Sequence, residues 1–183
     1  MKKVAVFLAH GTEEGEAIIQ IDLLRRAGIE VKTFSIEEDL EIKSARDITF
    51  LADDHINNIR LEEYDMLFVP GGAKGVERMY ESKKLSQVLT DFSKTDSLIS
   101  AVCAAPTVLG KLGLLDGEVA TCAPNWESGL GNAIHKAESV VRSGKFITGK
   151  GLGASIPLAL ACIEELLDKN EADKVAKAIC YQA

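Results

Sequence analysis

The chain is poor in the residues that mark secreted and membrane proteins. It has only four cysteines, without C-x-x-C spacing, which is too few for the disulfide framework of a small secreted protein. This scarcity indicates reduced thiols and a cytoplasmic protein. No apolar run approaches the roughly 20 residues of a membrane-spanning helix. Met1-Lys2-Lys3 leads straight into a strand-like run rather than into a cleavable signal.

A metal cluster and a nucleotide-binding loop are also missing from the sequence. The three histidines are scattered. The segment 144–151 resembles a phosphate-binding loop but lacks its final Ser or Thr, and Gly149, Gly151 and Gly153 have the wrong spacing for a dinucleotide fingerprint. The net charge of −7 argues against nucleic acid or an anionic membrane as the main partner. We therefore expect no metal, no cofactor, no nucleic-acid partner and no membrane partner.

The pattern of apolar residues predicts alternating strands and helices. Predicted strands cover residues 4–9, 29–35, 66–69, 98–102, 118–121 and 145–148, with a short hairpin at 41–43 and 48–52. Predicted helices cover residues 14–27, 82–93, 106–112, 154–167 and 171–180, and Gly28 is the expected left-handed end of the first. With 183 residues and 46% hydrophobic content, the chain fits a single domain spanning 1–183. The alternation predicts an α/β fold with a mainly parallel central sheet and helices on both faces.

Cys103 is the main candidate for a reactive side chain. It follows the apolar run 98–102 directly, and Pro106 suits the first turn of a helix. A thiol at such a strained bend would face free backbone N–H groups and the positive end of a helix, which favours the thiolate. The alternative is a structural cysteine, because free cysteines are among the most buried residues.

Ligands of such sheets bind beyond the carboxyl ends of the strands, where four segments of this chain should meet. These are residues 10–16, 70–72, 103–104 and 149–153. Glu16 could hold or move a proton if it lies buried beside Cys103, although acidic residues also simply complement a helix start. Gly71 and Gly72 would let backbone N–H groups approach an oxyanion, or form only a turn. His10 lies at this edge too, and a lone histidine there is more often incidental.

Several motifs together resemble those of the DJ-1/ThiJ/PfpI superfamily, and within it the parkinsonism-associated deglycase branch, nearly end to end. They are Gly11-x-Glu13-Glu14-x-Glu16, Arg25-Arg26-Ala27-Gly28-Ile29, Ser44-Ala45-Arg46-Asp47, Val69-Pro70-Gly71-Gly72, Ala101-Val102-Cys103-Ala104-Ala105-Pro106-Thr107 and Gly151-x-Gly153. Each motif alone is weakly specific, and their combination is highly specific.

This resemblance implies a flavodoxin-like three-layer sandwich that forms a homodimer. Cys103 would be the nucleophile, with protonated Glu16 against its sulfur and the amides of Gly72 and Ala104 at the oxyanion site. Arg26 and Arg46 match arginines kept near the dimer interface and the pocket. The implied activity is that of a cofactor-independent glyoxalase or protein deglycase, a lyase or a hydrolase. Its substrates would be 2-oxoaldehydes such as methylglyoxal, or their adducts.

Two positions depart from the family patterns. Ala104 stands where the protease-like branch has a histidine, so a general base for proteolysis is missing. Cys122 stands where the deglycase branch often has a histidine, and it ends a strand that we expect to neighbour that of Cys103.

Cys122 leads to an alternative of a different class, a thiol-based oxidative-stress sensor or chaperone. Cys103 would then oxidise to sulfenic or sulfinic acid, and Cys122 could resolve the sulfenate as a disulfide. A catalytically idle relative kept for protein interaction is a third alternative. Nothing in the sequence supports a link to thiamine synthesis.

Overall fold

A seven-stranded sheet forms the centre of the molecule in the computed structural model, which describes residues 1–182. Its spatial order is β10-β11-β7-β6-β1-β2-β5, and every neighbouring pair is parallel except β10 with β11. The strands are β1 (Lys3–Leu8), β2 (Glu30–Ser35), β5 (Asp54–His55), β6 (Met66–Val69), β7 (Leu98–Val102), β10 (Val140–Ser143) and β11 (Phe146–Gly149). The central strands β1, β6 and β7 are buried on both sides, which explains their continuous apolar runs.

Six helices cover the two faces of this sheet. They are α1 (Glu14–Arg26), α2 (Ala73–Glu81), α3 (Lys83–Phe92), α4 (Pro106–Lys111), α5 (Ser155–Leu166) and α6 (Lys169–Ala178). Side chains of α2, α3 and α4 form one apolar core with the sheet, and those of α1, α5 and α6 form the other. The predicted flavodoxin-like α/β sandwich is confirmed. No helix within residues 1–182 is both long and apolar enough to cross a membrane.

Two small sheets lie beside the central one. The predicted hairpin is confirmed as the antiparallel pair β3 (Glu41–Lys43) and β4 (Thr49–Leu51). The predicted strand at 118–121 shortens to β8 (Val119–Ala120), which pairs with β9 (Ile134–His135) outside the central sheet.

The expectation that this strand neighbours that of Cys103 is therefore wrong. Strand β11 occupies the place, and the backbone N–H of Thr121 donates to the Thr148 side chain rather than to a sheet carbonyl.

The remaining differences concern helix and strand boundaries. Gly28 has a φ of 76° at the end of α1, as predicted. The helix α2 was not predicted, because only the turn Pro70-Gly71-Gly72 was identified between β6 and α3. Strand β10 was also missed, and it forms the antiparallel edge of the sheet. Strands β1, β6 and β7, which precede His10, Gly71 and Cys103, nevertheless lie within one residue of their predicted positions.

Candidate active site

Cys103 occupies a strained backbone bend at the centre of the carboxyl edge of the sheet. Its φ is +63°, a left-handed conformation that costs a non-glycine residue of order 1–3 kcal/mol. Two hydrogen bonds hold the bend: its N–H donates to the carbonyl of Gly149 at 2.9 Å, and its carbonyl accepts from the N–H of Ala123 at 2.8 Å. The bend aims the thiol out of the sheet, and the side chain remains partly exposed.

Glu16 reaches the Cys103 sulfur from the first turn of α1. The residue is only 1% exposed, and its carboxyl group hydrogen-bonds the Cys103 side chain. The N–H of Gly71 donates to Glu16 Oε2 at 3.0 Å. Burial raises the pKa of Glu16 from 4.5 to about 7, a shift that these two hydrogen bonds only partly oppose. The carboxyl group is therefore poised to exchange a proton near neutral pH.

Gly71 and Gly72, which follow β6, bring one backbone donor to Glu16 and one to the Cys103 sulfur. A Cβ atom on Gly71 would lie 2.6 Å from both the Cys103 Cβ and the Glu16 Oε2 atoms. Gly72 has a φ of +97°, and a Cβ there would lie 2.3 Å from the Gly11 carbonyl oxygen. Only glycine fits at these positions, so the amides of Gly72 and Ala104 can both hydrogen-bond the Cys103 sulfur.

The acidity of Cys103 depends on the protonation of Glu16. Burial, together with the charge of ionised Glu16, raises the pKa of the Cys103 thiol to about 12. The expectation that free backbone N–H groups and the helix end lower this pKa is therefore wrong, because burial and the carboxylate outweigh the donors. When Glu16 holds the proton, its charge disappears and its O–H donates to the sulfur.

The surroundings of the two groups favour a proton on Glu16 over one on the sulfur, and so act against their ordinary pKa values of 4.5 and 9.0. The sulfur is partly exposed and has the two amides of Gly72 and Ala104. The Glu16 carboxylate is 1% exposed and has only one amide donor, Gly71. A negative charge is stabilised by donors and solvent. Transfer of the thiol proton to Glu16 therefore produces a thiolate in the better-solvated position.

The Cys103 sulfur opens into a cavity of about 370 Å³. Its walls come from the loops after β1, β3 and β6, and include Gly11, Glu13, Ala45, Arg46, Gly72, Ala73 and Lys74. Arg46 lies 3.9 Å from the Glu13 carboxylate, so these two opposite charges form an ion pair at the rim of the cavity. Lys74 was not singled out from the sequence, although it follows Gly72 at the predicted edge. The cavity is large enough for a small carbonyl compound.

Two other predicted site residues lie outside this cavity. His10 lines a neighbouring cavity, where its Nδ1 atom accepts from the N–H of Lys43 at 3.1 Å. Arg26 pairs with Asp22 at 2.8 Å on the exposed side of α1 and lines a separate groove with Ile156 of α5. Within residues 1–182, no three metal-ligating side chains gather at one place.

Cys122 is close to the bend along the chain but lies in a different environment. It is 1% exposed and belongs to the apolar core under α2–α4, whereas the Cys103 side chain packs against the core under α1 and α5. Burial raises the pKa of Cys122 to about 11, and its thiol donates to the Ala123 carbonyl at 3.4 Å. This environment disfavours the thiolate that disulfide exchange requires.

The molecule is thus an α/β protein with a cysteine at a strained strand-to-helix bend, and a buried carboxyl group and two backbone amides lie at its sulfur. The chain belongs to the DJ-1/PfpI family, whose model matches residues 2–165.

Individual relatives match over nearly the whole chain. It is 36% identical to protein dj-1beta of Drosophila melanogaster, over 97% of this chain and 96% of that protein. It is 28% identical to the glutathione-independent glyoxalase DJR-1.2 of Caenorhabditis elegans, over 92% and 90% of the two chains. The structure of oxidized Toxoplasma gondii DJ-1 superposes with a TM-score of 0.96 at 36% identity and covers 100% of both chains.

We expect Glu16→Gln to slow alkylation of Cys103 by iodoacetamide at pH 7 by about tenfold, because the amide cannot take up the thiol proton and donates more weakly to the thiolate. The rate is measured by mass spectrometry across pH 5–10. Glu13→Gln is the matched control, since Glu13 lines the same cavity, and it should stay within about twofold of the unsubstituted protein. Faster alkylation of Glu16→Gln would instead mean that the carboxylate only opposes thiol ionisation.

Proposed function

We propose that this protein is a cofactor-independent, cysteine-dependent glyoxalase or deglycase that acts on methylglyoxal-type 2-oxoaldehydes or their adducts. The observation that carries the proposal is the meeting of one sulfur, one buried carboxyl group and two backbone donors in an open cavity. The C. elegans relative named as a glutathione-independent glyoxalase supports the same class of substrate.

The first step is addition of the Cys103 thiolate to the aldehyde carbon. A C–S bond forms, and the carbonyl π electrons move to the oxygen, where the amides of Gly72 and Ala104 can stabilise the developing charge. Glu16 then gives its proton to that oxygen, which completes the hemithioacetal and leaves a carboxylate.

The second step moves hydrogen between the two carbons. The Glu16 carboxylate removes the proton from the former aldehyde carbon, a hydroxyl proton passes from the first oxygen to the second, and Glu16 returns its proton to the neighbouring carbon. The first carbon is thereby oxidised and the second reduced, which gives a 2-hydroxyacyl thioester. Water then cleaves the thioester, with one of its protons passing to Glu16, and releases lactate and the Cys103 thiolate.

The same cluster suits removal of 2-oxoaldehyde adducts from cysteine, lysine or arginine. It suits proteolysis less, because Ala104 gives no base at the position where a protease-like mechanism needs one.

We expect Cys103→Ala to abolish lactate formation from methylglyoxal, because no other thiol and no hydroxyl side chain of residues 1–182 lines this cavity. Cys180→Ser, which changes an exposed thiol at the end of α6, should keep the full rate. Lactate is measured enzymatically with purified protein in the absence of glutathione. Equal rates for Cys103→Ala and the unsubstituted protein would refute this mechanism.

A thiol-based stress sensor or chaperone is the second proposal, and the partial exposure of the Cys103 sulfur supports it. Oxidation to the sulfinate would place an anion beside the Gly72 and Ala104 amides and the Glu16 carboxyl group. The T. gondii relative is described as oxidized. Cys122 is buried in the other apolar core, which limits its access to an oxidised Cys103 sulfur.

After mild peroxide treatment we expect sulfinate at Cys103 and little Cys103–Cys122 disulfide, because Cys122 is buried in the other apolar core and has little access to the Cys103 sulfenate. Peptide mapping with isotope-coded alkylation distinguishes the two products, and Cys122→Ala is the control. A dominant disulfide that disappears in Cys122→Ala would establish the resolving role and contradict this expectation.

We also propose that the protein is a homodimer that uses the exposed side of α1. Ile18 is 48% exposed, and the 49% exposed Leu152 packs over Gly15, three residues before Ile18 in α1. Arg26 of the same helix lines a partly apolar groove.

Sedimentation equilibrium should give twice the chain mass of 19.7 kDa. Ile18→Asp should shift the protein to the monomer, because it buries a charge in the apolar contact. A monomeric unsubstituted protein at micromolar concentration would rule out the dimer.

A further inference from the structure

A second cavity, of about 450 Å³, adjoins the one that holds Cys103. We call it the cationic groove, and it is lined by His10, Gly11, Lys43, Ser44, Ala45, Asp47, Lys74 and Arg78. Gly11, Ala45 and Lys74 line both cavities. A molecule that reacts at the Cys103 sulfur can therefore extend into the groove past these three residues.

Basic side chains dominate the two cavities in a chain whose net charge is −7. Their walls carry the four basic residues Lys43, Arg46, Lys74 and Arg78 but only the two carboxylates of Glu13 and Asp47. The need for solubility does not explain a local excess of basic side chains on an acidic protein. Such an excess in a cleft attracts anions.

Lys74 is the basic residue whose charge is left available. Lys43 pairs with Asp47 at 3.0 Å, and Arg78 pairs with Glu37 at 3.0 Å. Arg46 faces Glu13 at 3.9 Å. Within residues 1–182, Lys74 forms no ion pair with a carboxylate, and its ammonium group donates no hydrogen bond.

The base of Lys74 is fixed beside the reacting atoms. The residue lies in the first turn of the nine-residue helix α2, two positions after Gly72, whose amide hydrogen-bonds the Cys103 sulfur. Its Cβ atom packs so closely on Gly11 that a Cβ added there would lie 2.6 Å away. Arg78 follows one helical turn later on the same face of α2 and lines the groove as well, with its charge paired with Glu37.

We propose that the cationic groove is a subsite for an anionic group carried by the substrate, with Lys74 as its specificity-determining residue. The preferred substrates are then 2-oxoaldehydes that bear a carboxylate beyond the reacting dicarbonyl, rather than methylglyoxal itself. This inference rests on the proposed function. The bond-forming steps are those given above, and the groove only positions the far end of the molecule.

Turnover of two aldehydes tests the preference directly. The carboxylate-bearing 4,5-dioxopentanoate and the uncharged methylglyoxal present the same reacting group. At low salt we expect kcat/KM to be higher for 4,5-dioxopentanoate. Lys74→Gln should reduce the ratio of the two kcat/KM values about threefold to fivefold, as expected for one exposed charge contact. Lys74→Glu should reduce it further.

Lys83→Gln is the matched control, because Lys83 begins the neighbouring helix α3 and lines neither cavity. Its ratio of the two kcat/KM values should equal that of the unsubstituted protein. An equal ratio in Lys74→Gln, Lys83→Gln and the unsubstituted protein would overturn the inference even if both aldehydes are turned over.

A second readout separates this inference from the proposed function. Iodoacetate and iodoacetamide alkylate Cys103 at the same carbon and differ in charge, so their rate ratio reports the field in the cavity without catalysis. We expect Lys74→Gln to lower the iodoacetate-to-iodoacetamide ratio by about twofold to threefold, and Lys83→Gln to leave it unchanged.

A lowered ratio with no turnover of either aldehyde would refute the glyoxalase while keeping the anion subsite. An unchanged ratio would refute the subsite whatever the turnover shows.

Discussion

The contact between the buried Glu16 carboxyl group and the Cys103 sulfur is the constraint to which the surrounding structure is fitted. It requires a bend with φ of +63° after β7, and that bend survives because Gly149 and Ala123 satisfy its backbone groups. It also requires glycine at position 71, where a Cβ would lie 2.6 Å from both partners. Three separate segments of chain thus give up conformational freedom or side-chain volume for one interatomic contact.

Burial of the Glu16 carboxyl group is also unfavourable for folding at neutral pH. Glu16 loses its proton near pH 4.5 in the unfolded chain but near pH 7 in the folded one. Between these values the folded state binds the extra proton, so the free energy of unfolding falls as pH rises through this window. A glutamine or leucine would avoid this loss. Retention of the carboxyl group against stability is typical of a functional site.

Local features of the site were predictable from the sequence, and features that depend on distant pairing were not. The bend at Cys103 could be predicted because an apolar strand precedes it and Pro106 begins a helix after it. Glu16 could be predicted as a site residue because it lies in the first turn of α1. The position of Cys122 was wrong, because strand order is set by long-range pairing and β11 takes the place beside β7. The thiol pKa was wrong as well, because burial and the neighbouring carboxylate outweigh a helix end that the sequence makes visible. Lys74 was missed since an unpaired lysine differs from other surface lysines only in what surrounds it.

The reactive cluster does not by itself select a substrate. A sulfur with two amides and a proton-bearing carboxyl group adds to an aldehyde and reacts with peroxide by the same nucleophilic step. Both reactions also leave an anionic oxygen for the Gly72 and Ala104 amides. The two reactants differ in size. A carbonyl compound carries further groups into the cavity beyond its reacting carbon, whereas peroxide has none. Selection between the proposed glyoxalase and sensor roles must therefore come from the walls around the sulfur. There Arg46 is paired with Glu13, whereas Lys74 is paired with no carboxylate of residues 1–182. A charge placed there raises the occupancy of anionic carbonyl compounds over neutral oxidants without altering the sulfur chemistry.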